Sequence, residues 1–260
     1  MYLYVDARYL RRVFDDCLTP FVGSPVEVHW RLVKERFRAQ RVFYYDCVDD
    51  LPRKGESETE LRDRVSQQER ELEAIGSLDG YFLRLGTVRG DPKRRRQKEV
   101  DVLIAVDMLT HLYRQHMTHA LLLAGDLDFK PVVEAVVEQG TTVTVAFEPK
   151  SGSRALARAA DSERRLTLSA LWQMSTGPHD SRTFDLFPCG HDQKYSHNAP
   201  REKSGKIGSK FVYLSRSDGR TFIDLSEYDE NLEYVYWSSP DDAKLFAFIE
   251  REFGPIEWSE

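Results

Sequence analysis

Apolar residues in the first 175 positions keep two rhythms. Short dense runs are YLYVD (Tyr2–Asp6), RVFYYDCV (Arg41–Val48), YFLRLGTVR (Tyr81–Arg89), ALLLA (Ala120–Ala124) and TTVTVAF (Thr141–Phe147). Runs of this length, rich in Val, Leu, Tyr and Phe, predict strands. Between them apolar residues recur three or four positions apart, which predicts helices over Pro25–Gln40, Ser57–Gly76, Lys98–His116 and from Pro131 to Gly140. Ser57 and Glu60 make a capping-box pattern, and Gly76 stops that helix. A last helix is predicted over Ser151–Arg165. The run Ala120–Ala124 is wholly apolar, as expected of a strand covered on both faces. Strand and helix in alternation imply an α/β domain with a mainly parallel sheet.

The rhythm stops after Met174. The stretch from Ser175 to Gly205 is polar and rich in Pro, Ser, Gly and His, and residues 176–205 read as a linker or long loop. Beyond it, KFVYLSRSDGRTFIDLS predicts a hairpin turning at SDG. SPDDAKLFAFIEREFG predicts a helix capped by Ser239 or Asp241 and stopped by Gly254. The expected organisation is a domain over 1–175, a connecting segment over 176–205, and a small α+β appendage over 206–260.

Charge adds a polarity that the total hides. Residues 1–175 carry 27 Lys and Arg against 27 Asp and Glu, so the whole formal charge of −6 resides in residues 176–260. The acidic C-terminal region is therefore a candidate surface for a protein partner or for self-association. The densest basic run, RGDPKRRRQK (Arg89–Lys98), sets six positive residues against Asp91. Arg94, Arg95 and Arg96 within it read as a clamp for a phosphate backbone, because such contacts give affinity without reading bases. No apolar run approaches the ~20 residues that a membrane helix needs. Three cysteines, widely spaced, fit a reducing compartment better than a disulfide framework, and the expected location is the cytoplasm. CGHDQKYSH offers Cys189, His191 and His197 but no fourth ligand, so it reads as a polar loop rather than a zinc site.

The candidate chemistry lies in acids at strand ends. Asp6 ends the first strand and Asp126 follows the run Ala120–Ala124 after Gly125, with Asp128 two residues on. Ligands of open parallel sheets bind beyond the carboxyl ends of the strands. Asp101 falls in the first turn of its helix, where the macrodipole favours an anion. Asp107, about 120° away round that helix, reads as structural, paired with Arg114, Lys98 or another residue on a flank. Taken singly, Asp126 is also an Asx-turn residue, Asp128 a helix cap and Asp6 a partner for Arg8 or Arg11. Taken together, four acids with no basic residue among them suit Mg²⁺ or Mn²⁺. Tyr9, Tyr44 and Tyr45 read first as core aromatics and second as stacking surfaces.

Three separated stretches, YVDARYL, KEVDVLIAVDML and LAGDLDFKPVVEAVVEQG, resemble in order the motifs of the NYN domain, a branch of the PIN-like metal-dependent ribonucleases. RALARAAD, with Asp161, resembles a further acidic segment of that family. The resemblance implies a three-layer PIN-like fold and an acidic cluster of Asp6, Asp101, Asp126 and Asp128, with Lys98 and Phe129 as its neighbours on the substrate side. It implies a divalent-metal-dependent ribonuclease acting on RNA, expected to be single-stranded. Three positions differ from the family's pattern. Arg8 and Tyr9 stand where an Asn is common, and Leu127 stands where a small residue separates the paired acids. These departures support a second reading, an RNA- or protein-binding module with a weak or inactive site. A phosphatase would carry Asp-x-Asp at the end of its first strand, whereas this chain has Asp6-Ala7-Arg8.

Overall fold

The structure is a computed structural model that describes residues 1–19, 25–89, 96–149, 151–166, 168–176, 185–188, 199–208, 210–226 and 234–259. Side chains are described for all of these except 88–89, 96–98, 168–169, 185–188, 226, 234–236 and 251–252. The chain divides into two compact units, one formed by Met1–Pro20 and Ser24–Thr176, the other carried mainly by Gly177–Glu260.

The first unit is a three-layer α/β domain. Its strands are β1 (Tyr2–Asp6), β2 (Arg41–Cys47), β3 (Tyr81–Arg89), β4 (Arg96–Lys98), β5 (His119–Leu123), β6 (Thr142–Phe147) and β7 (Ser162–Arg165). They make one sheet in the order β4-β3-β2-β1-β5-β6-β7, parallel throughout except for β4. The helices are α1 (Ala7–Val13), α2 (Trp30–Phe37), α3 (Glu58–Gly76), α4 (Val100–Tyr113), α5 (Lys130–Glu138), α6 (Arg154–Ala157) and α7 (Leu168–Gln173).

Strand alternation decides which residues face which layer. Tyr2, Tyr4, Phe43 and Tyr45 join Ile104 and Met108 of α4 and Val133 and Val136 of α5 in one buried cluster. Tyr4 fixes α4 on the sheet through His111 Nδ1 at 2.8 Å. The residues between them, such as Tyr44, turn to the other face. There Tyr44 meets Trp30 of α2 edge-on at 4.8 Å and Arg11 of α1.

Several boundaries differ from the sequence pattern. α2 starts at Trp30 rather than Pro25, because Val26 and Val28 are buried and extended and Val28 bridges to Ser175. His29 then caps the helix, accepting from the Leu32 amide at 3.4 Å. α4 starts at Val100 rather than Lys98, since Arg96–Lys98 instead pair antiparallel with Thr87–Arg89. The long helix expected over Ser151–Arg165 is a one-turn helix followed by β7. Asp161 ends it by accepting from the Val143 amide at 2.7 Å and donating its own amide to the Val143 carbonyl at 3.0 Å, which docks the chain on β6. α3 keeps its predicted capping box, with Ser57 and Glu60 bonded reciprocally.

The second unit is an antiparallel sheet of β8 (Asp185–Pro188), β9 (Arg201–Ile207), β10 (Lys210–Ser217), β11 (Arg220–Ser226), β12 (Tyr234–Ser239) and β13 (Glu257–Trp258), in the order β13-β9-β10-β11-β12-β8. β8 and the start of β9 lie within the stretch read as a linker. Asp218 and Gly219 both have positive φ (51° and 71°), the backbone of a two-residue hairpin turn, and join β10 to β11 as the SDG pattern predicts. Helix α8 (Asp242–Phe253) is capped by Asp241, which accepts from the Lys244 amide, and ends at Gly254 with φ 109°. Its Leu245, Phe248 and Ile249 are buried, as are Val212, Leu214, Ile223 and Leu225 of the sheet.

Candidate active site

β1 and β5 are neighbours at the centre of the sheet, and the chain builds outward from them in opposite directions, through β2 and β3 on one side and β6 and β7 on the other. The crevice beyond their carboxyl ends is thus the topological switch point. Asp6 is the last residue of β1, and Asp126 lies three residues past the end of β5.

Asp6 follows the alternation of Tyr2 and Tyr4, which directs it to the layer holding α4. One of its oxygens accepts the Tyr9 amide at 2.9 Å and so caps α1. Asp101 occupies the first turn of α4 on the same side and is exposed. Asp126 accepts the Asp128 amide at 3.0 Å, closing a one-turn 3₁₀ segment, Leu127–Phe129, that leads into α5. Capping therefore occupies one carboxylate oxygen each of Asp6 and Asp126. The local reading and the site reading of these acids do not compete, because a carboxylate has acceptor capacity left after one such bond.

Electrostatics ties the four acids together. Burial pushes the Asp6 carboxyl up to about 6; the Tyr9 amide draws it down, Asp101 and Asp46 raise it again, and Arg12 lowers it. The Asp101 carboxyl is also raised, by burial first and then by the charges of Asp126 and Asp128. Such repulsion falls off with distance, so Asp101 lies within reach of the charges of Asp6 on one side and of Asp126 and Asp128 on the other. Among the described residues, no three His, Cys, Asp or Glu side chains are gathered closely enough to hold a metal ion. The donor set itself consists of hard carboxylate oxygens, the chemistry that Mg²⁺ and Mn²⁺ prefer.

A cleft of about 460 Å³ opens beside Asp126, lined by Arg12, Gly125, Leu127, Ser151, Gly152 and Ser153. Gly125 is dictated by Tyr9. A Cβ at this position would stand 2.4 Å from the tyrosine ring, and Tyr9 is 4% exposed with its hydroxyl accepting the Glu148 amide at 2.8 Å. Tyr9 thus fastens α1 to the end of β6. Tyr44 and Tyr45 are also fully buried, so all three tyrosines are core residues and none presents a ring to a base.

The remaining residues singled out from the sequence fall in different places. Phe129 is 1% exposed and belongs to the core, so it anchors the turn between the acids and α5 and does not touch a substrate. Leu127 is 49% exposed on the cleft wall. Arg96 and Lys98 lie on β4, at the sheet's edge and three strands from β1, with Lys98 three residues before Asp101. Arg94, Arg95, Cys189, His191 and His197 lie outside the described residues. Asp107 is structural, but its partners are Arg84, 2.8 Å away, and the Tyr45 hydroxyl at 2.9 Å. Arg84 is the flanking residue that takes this place, because the position of Asp107 on α4 faces the β2–β3 side.

One acid escaped the sequence reading. Asp46 lies near the end of β2, 4% exposed, on the opposite face from Asp6. It accepts from Arg11, from the Tyr44 hydroxyl at 2.9 Å and from the Cys47 amide at 2.9 Å. Its signal was available, since YYDC repeats the apolar-strand-then-Asp pattern of YVDA.

The family model of the NYN domain matches residues 3–167. The chain belongs to the NYN domain family. That membership places its first unit in the PIN-like nuclease superfamily, whose domains are generally divalent-metal dependent, and it suggests RNA binding. The parallel sheet between helix layers agrees with it. A solved structure of a protein of unknown function from Vibrio parahaemolyticus RIMD 2210633 is similar at 16% identity and a TM-score of 0.47, covering 64% of this chain and 91% of that one. No curated protein matches the chain. No described helix of this NYN protein is long and apolar enough to cross a membrane.

Proposed function

We propose that this NYN protein is a divalent-metal-dependent ribonuclease that hydrolyses phosphodiester bonds of single-stranded RNA. The observation that supports the reading is that Asp6, Asp101, Asp126 and Asp128 collect at the switch point, where burial first and neighbouring carboxylates second raise the carboxyls of Asp6 and Asp101. Acids kept together against that repulsion serve a cation better than they serve the fold. Mg²⁺ or Mn²⁺ would be held by these four side chains and, when bound, would supply Lewis-acid stabilisation of the phosphate and a more acidic water.

The chain's own residues have separate tasks in this reading. Asp6, Asp101 and Asp126 would present carboxylate oxygens to the cation, and Asp128 would ligate it through water or orient the attacking hydroxide. The α1 cap at Tyr9 and the turn at Asp128 fix the rotations of Asp6 and Asp126 before substrate arrives. Lys98 and the basic run containing Arg94, Arg95 and Arg96 contact backbone phosphates. Asp126→Asn keeps the bond to the Asp128 amide and removes the charge. This variant is expected to melt as the wild type does and to lose at least a hundredfold in cleavage of a single-stranded RNA with Mn²⁺. Equal cleavage by the two proteins overturns the assignment.

A second reading, an NYN-fold module that binds RNA or protein without cutting, has one observation in its favour. No three of the carboxylates are gathered at metal-binding distance among the described residues. Calorimetric titration with Mn²⁺ separates the readings: the nuclease takes up the ion with a defined stoichiometry that Asp126→Asn abolishes, and the module gives no saturable heat.

A further inference from the structure

The net charge of the C-terminal unit conceals a split. Residues 201–216 carry five Lys and Arg against one Glu, whereas residues 217–260 carry three against twelve Asp and Glu. Acids are therefore abundant in the unit, yet Arg201, Lys203 and Lys206 of β9 form no ion pair among the described residues. The only described bridge to β9 is that of Glu202 with Arg216, at 2.6 Å. Each of the three cations lies over an aromatic ring instead: Arg201 over Tyr213 at 3.9 Å, Lys206 over Phe211 at 5.2 Å, and Lys203 over Trp258 at 5.1 Å.

The register sorts these pairs. Phe211 stands opposite Lys206, and Ser215 opposite Arg201, so with Tyr213 between them they share the face turned away from Val212 and Leu214. Lys203 stands opposite Leu214, and Trp258 meets Phe246 of α8 at 6.2 Å, so that pair lies on the α8 side. β13 pairs with Gly205 and Lys206 of β9, and the Ser259 amide donates to the Ser204 carbonyl at 2.9 Å, so the outer neighbour of β9 is one short strand that stops before Arg201 and Lys203. Arg201, Lys203, Lys206 and Phe211 are exposed.

We propose that this strip binds a single-stranded polynucleotide. Unpaired cations alternating with rings are what such a strand requires: positive charge tracks its backbone, and aromatic faces and the guanidinium plane stack its bases without regard to sequence. The choice of polyanion over an acidic peptide rests on the rings, which an acidic peptide does not use. The strip lies in a different unit from the acidic cluster, and its binding is independent of cleavage.

The test uses the full chain, fluorescence anisotropy and fluorescein-labelled oligouridylate in EDTA. Arg201→Glu with Lys206→Glu is expected to weaken binding at least tenfold and to reduce the slope of log affinity against log salt by about 1.4, since each phosphate on a single strand contributes about 0.7. The milder pair Arg201→Gln with Lys206→Gln is expected to move both quantities in the same direction with an unchanged thermal melt. Tyr213→Ala is expected to weaken binding about tenfold at an unchanged salt slope. Unchanged affinity and slope in both charge variants overturn the proposal. So does self-association of the Glu variant with RNA affinity intact, which would make these cations guards of a sheet edge. A silent Tyr213→Ala together with equal competition by polyaspartate overturns it too, in favour of an acidic protein partner.

Discussion

Asp6 and Asp46 are acids at the ends of adjacent strands, one turned to each face of the same sheet, and the protein treats them in opposite ways. Asp46 is enclosed by a guanidinium, a phenol and an amide, and Arg11 in turn lies 5.7 Å from the Trp30 ring and 5.9 Å from the Tyr44 ring. Asp6 receives one amide, from Tyr9, and faces the like charges of Asp101 and Asp46, with Arg12 as the one cation acting to lower its carboxyl. The first arrangement is how a fold neutralises a buried acid. The second leaves a charge for something outside the chain to neutralise. An acid at a strand end is therefore no sign of a site until its partners are known.

The comparison breaks most sharply at Asp46. Asp46→Ala leaves Arg11 half-buried without its counter-ion and is expected to cost about 2–4 kcal/mol in urea unfolding, allowing for the solvent that reaches the guanidinium. A loss below ~0.5 kcal/mol would show that the two acids are alike after all. Gly125→Ala comes next, with an expected cost of about 1–3 kcal/mol, because the new methyl meets a tyrosine ring that the Glu148 amide holds in place.

Asp6 should behave in the reverse sense. Its carboxyl, held near 6 in the folded chain, binds a proton more tightly there than in the unfolded chain, whose value is 3.8. Stability from this group is thus full below pH ~4 and is lost as pH rises through ~6. In EDTA at pH 7.5, Asp6→Asn is expected to raise stability by about 1–3 kcal/mol, and in a separate assay with Mn²⁺ it is expected to lower RNA cleavage. Unfolding free energies at pH 4 and pH 7.5 should show the gain only at the higher value. The smallest effect is expected at Leu127, where half the side chain is in water. Leu127→Ser should move stability by no more than ~0.5 kcal/mol, and a larger loss would mean that this wall of the cleft is packed rather than open.

The sequence was most legible where one segment's own pattern decides its structure. The buried run Ala120–Ala124, the capping box at Ser57 and the SDG turn each carry their instructions locally, and all three stand as read. β4 and β7 were not legible, because their pairing uses backbone groups while their side chains are charged: RQK and SERR offer no apolar rhythm. The same limit applied to the acids. Strand-end position could be read for Asp6 and Asp126, but the partners of Asp46 and Asp107 come from α1 and β3, which no local pattern specifies. Arg11 chooses Asp46 over Asp6 because α1 packs on the face to which Asp46 points.

The order of strands has a consequence for the protein's synthesis. Asp6 precedes Asp126 by several elements of the fold, and Asp126 reaches it only when β5 docks beside β1. No nascent chain that lacks β5 can bring both carboxylates together. A polypeptide emerging beside messenger and ribosomal RNA would then carry no complete acidic cluster until its central sheet had closed. Sequence separation, rather than an inhibitor, would keep the unfinished enzyme harmless.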